Sequence, residues 1–243
     1  MAQFDVPPYR LPWFRTSPPI SVIVDKPPNQ KTFYVHSSLL THSSQYFCTV
    51  LNSMFKEGET KICYLEEDDA SAFDLYVQYL YTNKYDVTLT VPHGDGGTEP
   101  MYYRMHAAAY ALGNKLVAPK FKKLVLFNFA SVLEPGRAID MKLVLDMAIT
   151  IYEGTSTHDG HEMRLILAKY CASRFKKLDK DASGVTEAWS EGDITAFVDA
   201  QLIEFIADVL GEVQGTEFSV TAILRHLGPS YDCYPMSCRK LMR

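Results

Sequence analysis

The segment Ala70–Tyr81 leaves few folds open to this chain. Phe73, Leu75, Tyr76, Val77, Tyr79, Leu80 and Tyr81 are apolar or aromatic, and the polar residues Ser71, Asp74 and Gln78 fall at spacings of three and four. At the helical period those polar side chains form one narrow wet strip on an otherwise apolar cylinder. A helix patterned in this way belongs at the centre of a core, packed on several sides. Glu66-Glu67-Asp68-Asp69 precedes it and places carboxylates at the positive end of its dipole.

The residues upstream supply its packing partners. The β-branched run Ile20–Val24 predicts a first strand, Asp25–Gln30 is turn chemistry, and Phe33–Val35 is the expected hairpin partner. A helical turn follows at His36–Leu40. Ser43 or Ser44 then caps a helix, since a short hydroxyl accepts from an orphan first-turn amide. In that helix Tyr46/Phe47, Val50/Leu51 and Met54/Phe55 recur every four residues and make one apolar stripe. Lys61–Leu65 reads as a short strand.

In order, a strand, His-x-x-x-Leu, Ser-x-Tyr-Phe, an acidic link and Phe-x-x-Tyr-x-x-Tyr-Leu-Tyr-Thr resemble the BTB/POZ domain. The matching residues are His36, Leu40, Ser44, Tyr46, Phe47, Phe55, Glu57, Phe73, Tyr79, Leu80, Tyr81 and Thr82, and the resemblance spans roughly Ile20 to Phe129. It implies an α/β (α+β) fold: a small mixed sheet flanked by a helical cluster, followed by an all-helical extension. The expected division is a proline-rich tail over 1–19, a BTB/POZ domain over 20–130, helices over 131–225 and a tail over 226–243. A looser likeness, from Ile151-Tyr-Glu-Gly-Thr through Arg164 to Phe205, resembles the helical extension of filamentous-fungal BTB proteins.

The resemblance implies a non-catalytic protein–protein interaction module, with protein partners and no cofactor. One reading is homo- or hetero-oligomerisation or scaffold assembly, which includes a homodimer. The alternative is a substrate adaptor for a cullin-based ubiquitin ligase, with the helical half as substrate receptor. For the alternative, Met54-Phe55-Lys56-Glu57 resembles the apolar-x-acidic element with which some BTB domains grip the cullin scaffold. Met54, Phe55 and Glu57 are therefore the protein-binding candidates: an aromatic anchors in an apolar pocket while a carboxylate fixes orientation. The chain departs from the family at the dimer pocket. Ser21 and Ser37 stand where many dimerising members carry an Asp and a basic residue, so this pocket would be uncharged.

Composition narrows the partner class. The formal net charge of −5 argues against phosphate-driven nucleic-acid binding over the whole surface. No run approaches the roughly 18 apolar residues of a membrane span. The first residues lack the basic start and apolar block of a signal peptide. The five cysteines are odd in number and scattered. An intracellular protein with reduced thiols, cytoplasmic or nuclear, is the expectation.

The rest of the chain reads as follows. The tail carries Pro7, Pro8, Pro12, Pro18 and Pro19 with Phe4, Tyr9, Trp13 and Phe14. Either one or two of these aromatics pack on the domain, or the tail is a docking peptide for another protein. Asn83–Pro92 is expected to be extended, and His93–Thr98 a glycine-rich surface insertion without the Gly-Lys-Ser/Thr end of a phosphate loop. Met101–Leu112 predicts a helix with Tyr102, Met105, His106, Ala109 and Leu112 inward, stopped by Gly113. Pro119 opens the helix Lys120–Phe129. Lys115, Lys120, Lys122 and Lys123 make a basic, solvated end.

Glu134–Arg137 is a break. Ala138–Tyr152 repeats apolar residues at Ile139, Met141, Val144/Leu145, Ala148/Ile149 and Tyr152, and Glu162–Phe175 is a further helix with faces set by Leu165/Ile166, Lys169/Tyr170 and Arg174. The basic block of 163–180, Arg164 included, and the acidic block of 181–217 attract each other across a helical bundle. Asp181–Gly184 is a linker. Ala196–Leu210 is a docked surface helix with Leu202, Ile206 and Val209 on one side and Gln201, Glu204 and Asp208 on the other.

Two constellations tempt a chemical reading. Ser156, His158, Asp159 and His161 look like a triad in miniature, but no nucleophile elbow surrounds Ser156, so loop and cap is the reading. His158 and His161 supply only two metal ligands. His226, Cys233 and Cys238 are three of the four ligands structural zinc takes, with the cysteine spacing at the edge of the usual range. A frayed terminus is expected there. No catalytic, cofactor-binding or metal-binding residue is assigned.

Overall fold

The computed structural model describes residues 17–52, 56–90, 98–133, 139–156, 161–178 and 202–212. The chain divides into two units, Met1–Val125 and Leu126–Arg243. In the first, strands β1 (Pro19–Val24), β2 (Lys31–His36) and β3 (Ile62–Leu65) form a sheet in the order β2-β1-β3. β1 runs antiparallel to β2 and parallel to β3. The period-two pattern decides its faces: Ile20, Val22, Val24, Val35, Cys63 and Leu65 are buried against the helices.

The helices of this unit are α1 (Ser37–Ser43), α2 (Gln45–Asn52), α3 (Lys56–Thr60), α4 (Ala70–Thr82), α5 (Val87–Thr90) and α6 (Thr98–Lys115), and α7 (Pro119–Val132) contains the division between the units. The central helix is α4. Asp69 caps it, its carboxylate accepting from the amides of Ser71 at 2.6 Å and Ala72 at 3.1 Å. Phe73, Leu75, Tyr76, Tyr79 and Leu80 are buried, while Ser71, Asp74 and Gln78 lie on the partly wet strip. Phe73 meets the rings of Phe33, Phe47 and Tyr76 edge-on. Such aromatic edges add about 0.5–1.5 kcal/mol each beyond area burial. Ser44 is the cap of α2: its Oγ accepts from the Phe47 amide at 3.2 Å and donates to the Leu116 carbonyl at 2.5 Å. His36 and Tyr81, both in the recognised pattern, are joined by a 2.7 Å contact between Nδ1 and the phenol oxygen.

The structure corrects the expectation of an extended Asn83–Pro92. Val87–Thr90 is a helical turn, because the Asp86 carboxylate accepts from both the amide and the hydroxyl of Thr88 at 2.8 and 2.7 Å. Val87 is buried and Leu89 is 76% exposed, which one face of a strand would not allow. In α6, Tyr103 and Tyr110 are buried along with Met105, His106, Ala109 and Leu112, whereas Tyr102 is half-buried.

Gly113 does not end α6. A Cβ at that position would stand 3.1 Å from the Phe121 ring, so the glycine is there for the close approach of α7. The helix ends at Lys115 and closes in a Schellman motif over the next residues: Ala118 donates to the Gly113 carbonyl at 2.9 Å and Val117 to that of Asn114 at 3.0 Å. Val117 takes the left-handed conformation, φ 49°, in a seat that favours glycine. For a β-branched residue this costs about 1–2 kcal/mol. Val117→Gly is therefore expected to stabilise the unit by about 1 kcal/mol after the glycine's own entropy is subtracted. Thermal unfolding would show the gain, and an unchanged or lower midpoint would refute it.

In the second unit, α8 (Met141–Glu153), α9 (His161–Leu178) and α10 (Ile203–Glu212) pack together. α8 starts later than expected because Asp140 caps it, accepting from the Lys142 amide at 2.9 Å. Its buried stripe is Leu143, Val144, Met147, Ala148 and Ile151, so Leu145, Ile149 and Tyr152 stand at its half-buried margin. In α9 the buried positions are Met163, Arg164, Leu167, Ala168, Tyr170, Cys171 and Ala172, with Leu165 and Ile166 half-buried. The Tyr170 hydroxyl accepts from the Ile139 amide at 3.1 Å. Leu202, Phe205, Ile206 and Val209 are buried, as the docked-helix pattern requires.

Candidate interaction surface

Of the three protein-binding candidates, Met54 and Phe55 lie outside the described residues, and Glu57 is half-buried in α3. The charge of Glu57 acts both on Tyr46, in the first turn of α2, and on Cys63 in β3. Burial first, and Glu57 second, push the Cys63 thiol up to about 11, which leaves it a poor nucleophile at neutral pH. Burial, then Cys63, Glu57 and Asp68, raise the Tyr46 phenol above its ordinary value.

The turn that ends α6 reaches the same place. The Gln45 amide donates to the Val117 carbonyl at 3.2 Å and the Tyr46 amide to that of Leu116 at 3.3 Å. Lys115 bridges to Asp68 at 2.7 Å. Half-buried Tyr46 thus lies in the field of Glu57 and Asp68, with Lys115 paired to Asp68, and the neighbouring Gln45 amide meets Val117, which is 54% exposed. An aromatic with a polar, charged rim is the usual anatomy of a protein-interaction surface. A rim charge steers a partner, while a half-buried ring supplies contact area at small entropic cost.

The remaining candidates sort plainly. Ser21 and Ser37 are both half-buried, Ser21 in β1 opposite Tyr34 and Ser37 at the start of α1, where its amide donates to Pro18 at 3.1 Å. The tail aromatics, the glycine-rich insertion up to residue 97, the Glu134–Arg137 break, His158, Asp159, the Asp181–Gly184 linker, Gln201, His226, Cys233 and Cys238 lie outside the described residues, as does the side chain of His161. Among the described residues no three His, Cys, Asp or Glu side chains gather as a metal site, and no helix is long and apolar enough to cross a membrane.

Sequence reasoning paired the basic and acidic blocks of the second unit but missed that the basic end of the pairing is buried. Arg164, placed in the basic block that attracts the acidic block of 181–217, is 3% exposed. Its Nε donates to Thr155 Oγ1 at 3.0 Å, one Nη to Glu204 at 2.5 Å, and the other Nη to the carbonyls of Tyr152, at 3.0 Å, and Thr155. The guanidinium also lies 4.3 Å from the Tyr152 ring centroid. Tyr152 in turn donates to Asp208 at 2.5 Å, and burial, with that carboxylate, holds its phenol well above the ordinary value. Glu204 and Asp208 therefore face inward partners rather than water alone. The signal was available: Arg164, Leu167, Ala168 and Cys171 share one apolar stripe, and a charge on such a stripe is a buried charge.

No curated protein matches the chain. Residues 20–112 match the family model of the BTB/POZ domain, a segment that contains the sheet from Ile20 onward and α1 to α5. With a three-stranded mixed sheet capping a cluster around α4, and helices continuing beyond it, the chain carries a BTB/POZ domain, a protein-interaction fold, followed by a helical extension.

Proposed function

We propose that the protein is a non-catalytic assembly module, in which the BTB/POZ domain joins a second copy or another protein and the helical extension is carried along as part of a scaffold. The observation that supports this most is the domain match combined with the Tyr46–Glu57–Val117 surface, an aromatic with a charged rim on rigid elements. The place of action is the cytoplasm or nucleus, and the layout follows the filamentous-fungal proteins that the sequence resembles. Sedimentation equilibrium on the full chain is expected to give a multiple of 27.5 kDa, with Glu57→Lys shifting the distribution toward that mass. A 27.5 kDa species at every concentration would overturn self-assembly.

A second reading, the cullin-ligase adaptor, is favoured by one detail. Glu57 is a half-buried acid in the first turn of α3, two residues after Phe55. On this reading Phe55→Ala and Glu57→Lys each abolish capture of a purified cullin N-terminal domain while the melting profile is kept. Equal capture by both variants and the parent removes it.

A further inference from the structure

The sheet has a second face. Tyr34, Ser21 and Ile62 align across its strands in one outward row, and Thr32, Ile23 and Tyr64 in the next. Tyr34 is 72% and Tyr64 54% exposed, while Ile23 and Ile62 are half-buried between them. Strands stand about 4.8 Å apart, so the tyrosines lie at opposite corners of a patch about 10 Å wide. Aromatic walls around an apolar floor are the chemistry that takes up a proline-rich extended chain.

The chain carries such a segment next to this face. Pro12, Trp13 and Phe14 stand three to five residues before Ser17, the first described one, with Pro7, Pro8 and Tyr9 further out. The point of departure is fixed: Ser17 Oγ lies 2.6 Å from Ser38 Oγ, and the Pro18 carbonyl accepts from Ser37 at 3.1 Å. Ser17, to which residues 1–16 are joined, therefore stands at the end of the sheet where β1 begins. The opposite end carries Asp25, Glu66 and Glu67 against Lys26, which pairs with Glu67. The tail supplies Arg10 and Arg15.

The lengths agree. A polyproline-type chain rises about 3.1 Å per residue, so the seven residues from Ser17 back to Arg10 span about 22 Å. The run of β1 from Pro19 to Asp25 is about 20 Å at strand rise. Trp13, four residues back, falls about 12 Å along, over the tyrosine rows. We propose that residues 9–16 fold back over the outer face of the sheet in the same molecule, with Trp13 between Tyr34 and Tyr64 and Arg10 at the carboxylate end. A partner that uses this face must displace the chain's own tail. The inference is independent of the assembly surface at Tyr46.

The test uses the full chain with Trp189→Phe, which leaves Trp13 as the single tryptophan reporter. Acrylamide should quench Trp13 several-fold less than in a free peptide of residues 1–19. Tyr34→Ala with Tyr64→Ala should raise quenching to the peptide's level with the far-UV spectrum retained, and Arg10→Glu should raise it partway. Arg10→Glu decides the matter if the double variant unfolds. Peptide-like quenching in the parent overturns the proposal, as does quenching that neither variant changes. Protection lost on dilution also overturns it, since the occupant is then a second copy's tail.

Discussion

Arg164→Ala is expected to destabilise the helical unit by about 3 kcal/mol, at the lower end of what removing one partner of a buried charge pair costs. The arginine stands at the negative end of α8. Its two Nη groups satisfy the carbonyls of Tyr152 and Thr155, which have no helical partner there, as well as the Glu204 carboxylate. Alanine leaves those carbonyls buried and unpaired, at about 1–3 kcal/mol each. For a unit of this size the loss lowers the unfolding midpoint by about 10 °C. Arg164→Lys should recover less than half, because one ammonium cannot fork to several acceptors. Glu204→Gln should cost under about 1 kcal/mol, since its carboxylate is 56% exposed and screened. The ordering alanine, lysine, then Glu204→Gln is the signature in thermal or urea unfolding. An Arg164→Ala variant as mild as Glu204→Gln would show that the cluster is ornamental.

What the sequence disclosed, and what it hid, divides along a physical line. The α4 stripe, the Asp69 cap, the Ser44 cap and Pro119 at a helix start are local: a few consecutive residues carry both the pattern and its cause. The features that were misread have their cause elsewhere in the chain. Gly113 looks like a stop signal until Phe121 is seen to need the space, and the stop then falls on Val117 against its own propensity. Asp86 turns an apparent strand into a helical turn through one side-chain cap. The attraction between the basic and acidic blocks is legible, but not that Glu204 meets a buried Arg164 and Asp208 meets Tyr152, from 40 and 56 residues away. For the proposed interaction surface, the sequence reading named Glu57, but only the fold brings the Leu116 and Val117 carbonyls to the first turn of α2.

Acid is expected to loosen the BTB unit through a single imidazole. His106 is 1% exposed, with Nδ1 2.8 Å from the Tyr85 phenol oxygen and its ring against Tyr102 and Tyr85. Burial lowers its pKa from 6.5 to about 4. The folded protein thus keeps His106 neutral while the unfolded chain already takes up the proton. Between those two values the unfolded state binds more protons, so stability falls as pH falls; above 6.5 this group contributes no slope. The loss is about 2 kcal/mol between pH 7 and pH 5, and about 3 kcal/mol by pH 4. Carboxylates also titrate near the bottom of that window, so the informative quantity is the difference from His106→Gln, which keeps a polar partner for Tyr85 and does not titrate. Urea unfolding should show the parent losing about 2 kcal/mol more than the variant between pH 7 and pH 5. Parallel slopes would mean that the imidazole protonates in place, with water or a rearranged Tyr85 accepting the charge.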